Sequence, residues 1–146
     1  MTSLEFPTST LVIALVSLVV MRIIIFFGMR ASRGIEIVYD ELDVTEPLKG
    51  ALVCITSPKN CVWCVRLETG TWRDSSVKST LERHDVHLYR VTVATGKQLC
   101  KQYDIPIKSG IPRTLIFDRD GRYVSDILGY IKPAALLRTL ERYYGK

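Results

Sequence analysis

Asn60-Cys61-Val62-Trp63-Cys64-Val65 sets two cysteines three positions apart, and the reading of that pair decides the rest. Such spacing serves a dithiol redox pair, half of a metal site, a haem attachment point, or two small residues falling close by accident. A c-type haem site requires histidine directly after the second cysteine, and Val65 stands there. A structural zinc ion needs four ligands. The remaining candidates, Cys54, Cys100, His84 and His87, stand at no recognised zinc spacing. What surrounds the pair then carries the argument. Upstream, Ala51-Leu-Val-Cys-Ile-Thr56 is a short apolar run rich in branched side chains, the pattern of a buried strand. Ser57-Pro58-Lys59-Asn60 is turn chemistry. Residues 61–68, with Val62, Val65 and Leu67, suit a helix capped by Asn60 or Ser57.

Strand, turn and helix put Cys61 at the first helical turn. There, unpaired backbone N–H groups and the helix dipole favour a thiolate over a thiol. Cys64 lies one turn along, within reach of a mixed disulfide formed at Cys61. Cys61 is therefore expected to be the exposed nucleophile, and Cys64 the more buried resolving thiol.

Working outward, Asp74-Ser75-Ser76 caps a second helix through Leu81, and residues 86–93 alternate with the period of a strand. Residues 95–103 are expected to be helical, with Leu99 and Tyr103 on one face. Ser109-Gly110-Ile111-Pro112 is a turn before the apolar strand 114–117. Asp118-Arg-Asp-Gly121 is a hairpin turn, residues 122–128 return as its partner, and Pro133 opens a last helix striped by Leu136, Leu137, Leu140 and Tyr144. A βαβ half followed by a ββα half predicts an α/β domain, a mixed central sheet flanked by helices. Pro112, just before a buried strand, is well suited to a cis peptide bond. That geometry would present the Ile111 backbone to an extended substrate beside the Cys61 sulfur.

Residues from about Gly50 to Tyr144 resemble the thioredoxin superfamily. Within it they are similar to the C-terminal thioredoxin-like domain of the thiol–disulfide transporter DsbD and its membrane-anchored single-domain relatives. The likeness rests on the strand ALVCI, the CVWC pair, ETGTWRDSSVKSTL, GIPRTLIFDRDGR and the closing ILGYIKPAALLRTL segment. It implies a thioredoxin-like fold, dithiol–disulfide exchange at Cys61 and Cys64, and Pro112 as the substrate-positioning cis-proline. It also implies protein disulfides as substrates, a redox protein as electron donor, and no dissociable cofactor. Relatives carry an aromatic residue before the first cysteine, where this chain has Asn60, and many carry lysine after the second, where it has Val65. Many also hold a buried acid on the strand before the pair. The nearest position here is Cys54, and no carboxylate occurs between Gly50 and Cys61, so a proton leaving Cys64 must use water or a more distant group. Trp63 is read as a modulator of substrate fit, with Ile111 beside it in substrate binding. Cys54 and Cys100 are read as small packed residues, and His84 and His87 as surface groups. Two other classes stay open: a thioredoxin-like interaction module whose cysteines are incidental, and a metal-delivery protein using the same pair.

Residues 11–29, LVIALVSLVVMRIIIFFGM, are apolar except for Ser17, Arg22 and Gly28. About 19 helical residues rise about 28 Å, close to a bilayer's hydrocarbon thickness. The expected organisation is an N-terminal anchor over residues 1–30, a tether over 31–49 and a thioredoxin-like domain over 50–146. A cleaved signal peptide would need a basic N-terminal region, and this one carries Glu5 and no Lys or Arg, although Ala31-Ser32 offers a small-residue cleavage site. Arg30 and Arg33 follow the hydrophobic stretch, Arg22 lies in its C-terminal half, and together they point to a cytoplasmic domain by the positive-inside rule. The family likeness points to the extracytoplasmic face of a bacterial inner membrane, where anchored disulfide exchange is chiefly needed, and that is the expectation taken. The net charge of +5 contains no basic run longer than a pair, which argues against a nucleic-acid partner.

Overall fold

A computed structural model describes residues 16–22, 37–57, 59 and 61–145. The chain divides into two units, Met1–Gly34 and Ile35–Lys146. In the first, residues 16–22 are helical and exposed. The rest of the span expected over residues 11–29, and its continuation to residue 30, lie outside the described residues. Among the described residues no helix is long and apolar enough to cross a membrane.

In the second unit, β1 (Ala51–Ile55) is buried along its whole length because its sheet is covered on both faces. β2 (His87–Val91) runs parallel to β1 on one side, and β3 (Arg113–Phe117) antiparallel on the other. β4 (Tyr123–Leu128) completes the order β2-β1-β3-β4 through a hairpin with β3. Between β1 and β2 the chain forms α1 (Val62–Arg66), which runs on as a π-helical turn over Leu67–Thr71, and then α2 (Ser75–Arg83). The Asp74 side chain accepts the backbone N–H groups of Ser76 and Val77, the cap expected from its sequence. α3 (Val93–Gln102) joins β2 to β3, and α4 (Pro133–Tyr144) closes the chain with proline in its first turn.

Successive strand residues face opposite sides, and the core divides accordingly. Leu52 and Cys54 of β1 pack with Leu67, Trp72, Val77, Leu81, Leu136 and Tyr144. Ala51, Val53 and Ile55 pack on the other face with Leu99, Cys100, Leu115 and Phe117. The Tyr144 hydroxyl donates to the Phe117 carbonyl at 2.8 Å, fastening α4 to the sheet. The mixed sheet with helices on both faces is the architecture expected.

The segment read as a tether is built differently from that expectation. Leu42, Val44 and Leu48 pack into the core on the α3 side, and Ile37 and Leu48 are buried. Asp40 N–H donates to the Arg90 carbonyl at 2.9 Å, and Arg90 N–H donates back to the Asp40 carboxylate at 2.6 Å. The Gln102 side chain donates to the Val44 carbonyl. The polar composition of the segment hides three apolar anchors that reach the core. No strand is formed at residues 37–39.

Candidate active site

β1 delivers the chain to a turn, and Cys61 leaves that turn at φ −117°, ψ 86° as the N-cap of α1. The cysteine caps its own helix, where the sequence pointed to Ser57 or Asn60; Asn60 lies outside the described residues. The Cys64 N–H donates to Cys61 Sγ at 3.2 Å, so an orphan donor of the first turn is aimed at sulfur. Cys61 and Cys64 are disulfide-bonded, with S–S 2.06 Å and Cα–Cα 5.2 Å. Cys64 is fully buried while Cys61 is half-buried, the asymmetry expected of an attacking and a resolving sulfur. Val62 and Trp63 stand outward, 76% and 52% exposed. The Arg66 guanidinium lies over the rings of both Trp63 and Tyr130, 5.5 and 5.2 Å from their centroids. This cation–π arrangement holds the indole at the rim of the site.

The opposite wall comes from the loop before β3. Ile111–Pro112 is a cis peptide, as expected, and Gly110 precedes it at φ +113°, a conformation that a side chain would oppose. Gly129 N–H donates to the Pro112 carbonyl at 2.7 Å and pins the loop from the β4 side. The Ile111 carbonyl lies 4.0 Å from Cys61 Sγ. The fold thus gathers Cys61, Cys64, Ile111 and Pro112, with Trp63 on the rim.

A further residue escaped the sequence reading. Glu68, one turn beyond Cys64 in the π-helical stretch, has a side chain only 13% exposed, and its Oε2 accepts from Arg90 Nε at 2.9 Å. It is a half-buried carboxylate on the helical segment that follows the cysteine pair. Its signal in the sequence was the Cys64–Glu68 spacing, which puts both residues near one helical face. Cys54, on β1, is fully buried. Burial above all, with the negative charge of Glu68 adding, pushes its thiol up to about 11. Cys100 is also buried as a free thiol, and Arg113 Nη1 approaches its sulfur at 3.7 Å. His87 is exposed on β2; His84 is half-buried and meets Glu141 at 3.2 Å.

Neither a protein-family model nor a curated protein matches the chain. Solved structures do. The DsbD C-terminal domain of Neisseria meningitidis superposes with a TM-score of 0.50 and 19% identity, covering 68% of this chain and 84% of that one. A thioredoxin-fold protein from Helicobacter pylori gives 0.54 at 15% identity over 67% and 70%. The DsbH oxidoreductase gives 0.51 at 17% identity over 70% and 76%. The chain has a thioredoxin-like fold. In this thioredoxin-like domain the disulfide sits at the mouth of α1, between the helix and the loop ending in Pro112.

Proposed function

We propose that this chain is a membrane-anchored thiol–disulfide oxidoreductase that reduces protein disulfides, with residues 11–29 as its anchor and the thioredoxin-like domain on the extracytoplasmic side. The observation that carries the chemistry is the half-buried Cys61 sulfur, bonded to Cys64, receiving a helix N–H and lying beside the Ile111 carbonyl. In the reduced protein the same N–H favours the Cys61 thiolate. That thiolate attacks one sulfur of a client disulfide; the other client sulfur departs and takes up a proton. The mixed disulfide is resolved when the Cys64 sulfur, having lost its proton, attacks Cys61 and releases the second client thiol. Two electrons pass from the protein to the client, and the protein returns to the disulfide form, to be reduced again by a thiol donor protein. Glu68 is the acceptor assigned to the Cys64 proton, with Arg90 fixing its carboxylate. Ile111 and Pro112 receive the client backbone, and Trp63 shapes the fit. The likeness to DsbD supports the reducing direction and the location, and the hydropathy of residues 11–29 supports the anchor. A tether of that kind raises the effective concentration of the domain toward other envelope proteins without tight binding.

Insulin reduction by the full chain tests the chemistry. Cys61→Ser is expected to lower the rate at least about 10³-fold, and Cys64→Ser to accumulate a mixed disulfide on Cys61. Equal rates for Cys61→Ser and the parent would remove the enzyme reading. Orientation is tested by a C-terminal reporter, expected to be active outside the cytoplasm; activity confined to the cytoplasm would reverse it.

A further inference from the structure

One wall of the site continues into a cavity that the exchange chemistry does not use. It measures about 500 Å³ and lies between α3, β1 and the loop leading to Pro112. That volume is within the range of sites that hold small ligands and large enough for a side chain. Ile55, Ile107 and Ile111 supply apolar wall, while Lys97, Lys108 and Arg113 supply positive charge. Ile111 therefore borders both the cavity and the reactive sulfur.

The charges do not cancel. Asp126 is the acid that answers this group: Lys108 Nζ reaches it at 2.9 Å and Arg113 Nε at 2.8 Å. Burial opposes ionisation of Asp126, but hydrogen bonds from Lys108, Arg113 and Tyr123 outweigh it and hold the carboxyl below the usual range. Asp126 thus pairs with two of the three cations. Lys97 is exposed and makes no ion pair among the described residues. Arg113 is 97% buried, since only 3% of it is exposed, and its Nη2 has no hydrogen-bond partner among the described residues. A buried guanidinium donor left unpaired is costly, and a carboxylate is the group whose geometry matches it. Bare charge would suit any anion. The apolar wall on the way in favours an anion carried on a hydrocarbon stem.

We infer that this cavity is a specificity pocket for a glutamate or aspartate side chain of the client, carried on the chain that bears the cysteine under attack. The inference rests on the exchange reading above and names the client chemistry that reading leaves open. An extended client covers about 3.3 Å per residue, so an acid within about two or three residues of the attacked cysteine reaches past Ile111 into the cavity.

The test uses short peptides whose single cysteine is joined by a disulfide to thionitrobenzoate. Each carries Glu, Gln or Lys two residues before or after the cysteine. The reduced full chain is mixed with each under single-turnover conditions. Cys61 attacks the peptide sulfur and expels thionitrobenzoate; Cys64 then frees the peptide thiol, so release of the chromophore gives the second-order rate constant. In at least one register the Glu peptide is expected to react about tenfold faster than the Gln peptide, the worth of one charge-assisted hydrogen bond, with the Lys peptide slowest. Arg113→Gln would remove the buried donor but also breaks its pair with Asp126 and endangers folding. The exposed Lys97→Glu is therefore the deciding variant, and it is expected to shift the preference from the Glu toward the Lys peptide. Equal rates for the three peptides in both registers would overturn the pocket while leaving the exchange reading intact. Failure of all peptides, Gln included, would sink the exchange reading and the pocket with it.

Discussion

Two pairs of sulfurs sit within one small domain and have opposite fates. Cys61 and Cys64 occupy a helix mouth, one half-exposed, with a backbone N–H directed at the outer sulfur. Cys54 and Cys100 are free thiols inside the two halves of the core. The residue type is the same, so the difference lies in surroundings. A charged sulfur is favoured where orphan donors and solvent meet it, and disfavoured where burial removes both. Cys54, pushed up to about 11, remains a neutral packing group at any physiological pH.

Glu68 follows Cys64 by four residues and its charge acts on Cys54, so substituting it bears on both regions. Glu68→Gln is expected to slow exchange at the outer pair about tenfold by removing a proton acceptor, read by stopped-flow reduction of a model disulfide. The same change removes a negative charge that raises the Cys54 pKa, so that thiol is expected to ionise at lower pH, followed by thiolate absorbance. An unchanged exchange rate would take Glu68 out of the mechanism.

A smaller effect is expected at Cys54 itself. Cys54→Ala leaves a small void in a buried strand and should cost about 1–2 kcal/mol at neutral pH. Its dependence on pH has a definite sign. The folded pKa lies above the unfolded value of 9.0, so the neutral thiol's contribution is intact below about pH 9 and is lost as pH rises to about 11. Two pKa units correspond to about 3 kcal/mol. Urea midpoints at pH 7, 9 and 11, with Cys61 and Cys64 replaced by serine to prevent disulfide shuffling, should show that decline with Cys54 present. A matching decline in Cys54→Ala would assign it to other groups.

The order of strands and helices was legible in the sequence because each element carries its own signal: branched runs at β1 and β3, alternation at β2, an Asp74 cap, a proline-led final helix. The outer sulfur pair was legible for the same reason, since spacing and turn chemistry are local. Features made by distant parts of the chain were not. Glu68 was passed over because the acid was sought on β1, whereas a carboxylate can approach from the helix that follows the cysteines. The π-helical turn over Leu67–Thr71 has no periodic pattern to mark it. Arg113 falls between the turn at 109–112 and the strand 114–117 with no signal of its own; that its guanidinium is buried against Asp126 and Cys100 depends on β4 and α3 folding over it. The segment from Ile37 to Lys49 looked like a linker since Leu42, Val44 and Leu48 are too sparse to form a pattern.

The reciprocal hydrogen bonds between Asp40 and Arg90 have a consequence for the solubility of the domain. Among the described residues β2 is the last strand on its side of the sheet, and an uncovered outer strand offers its backbone to any passing chain. Asp40 occupies both the carbonyl and the N–H of Arg90, and so blocks a template for cross-chain pairing. A fragment trimmed to begin at Gly50 would lose that guard along with three apolar anchors, and would be a poor stand-in for the domain as it exists.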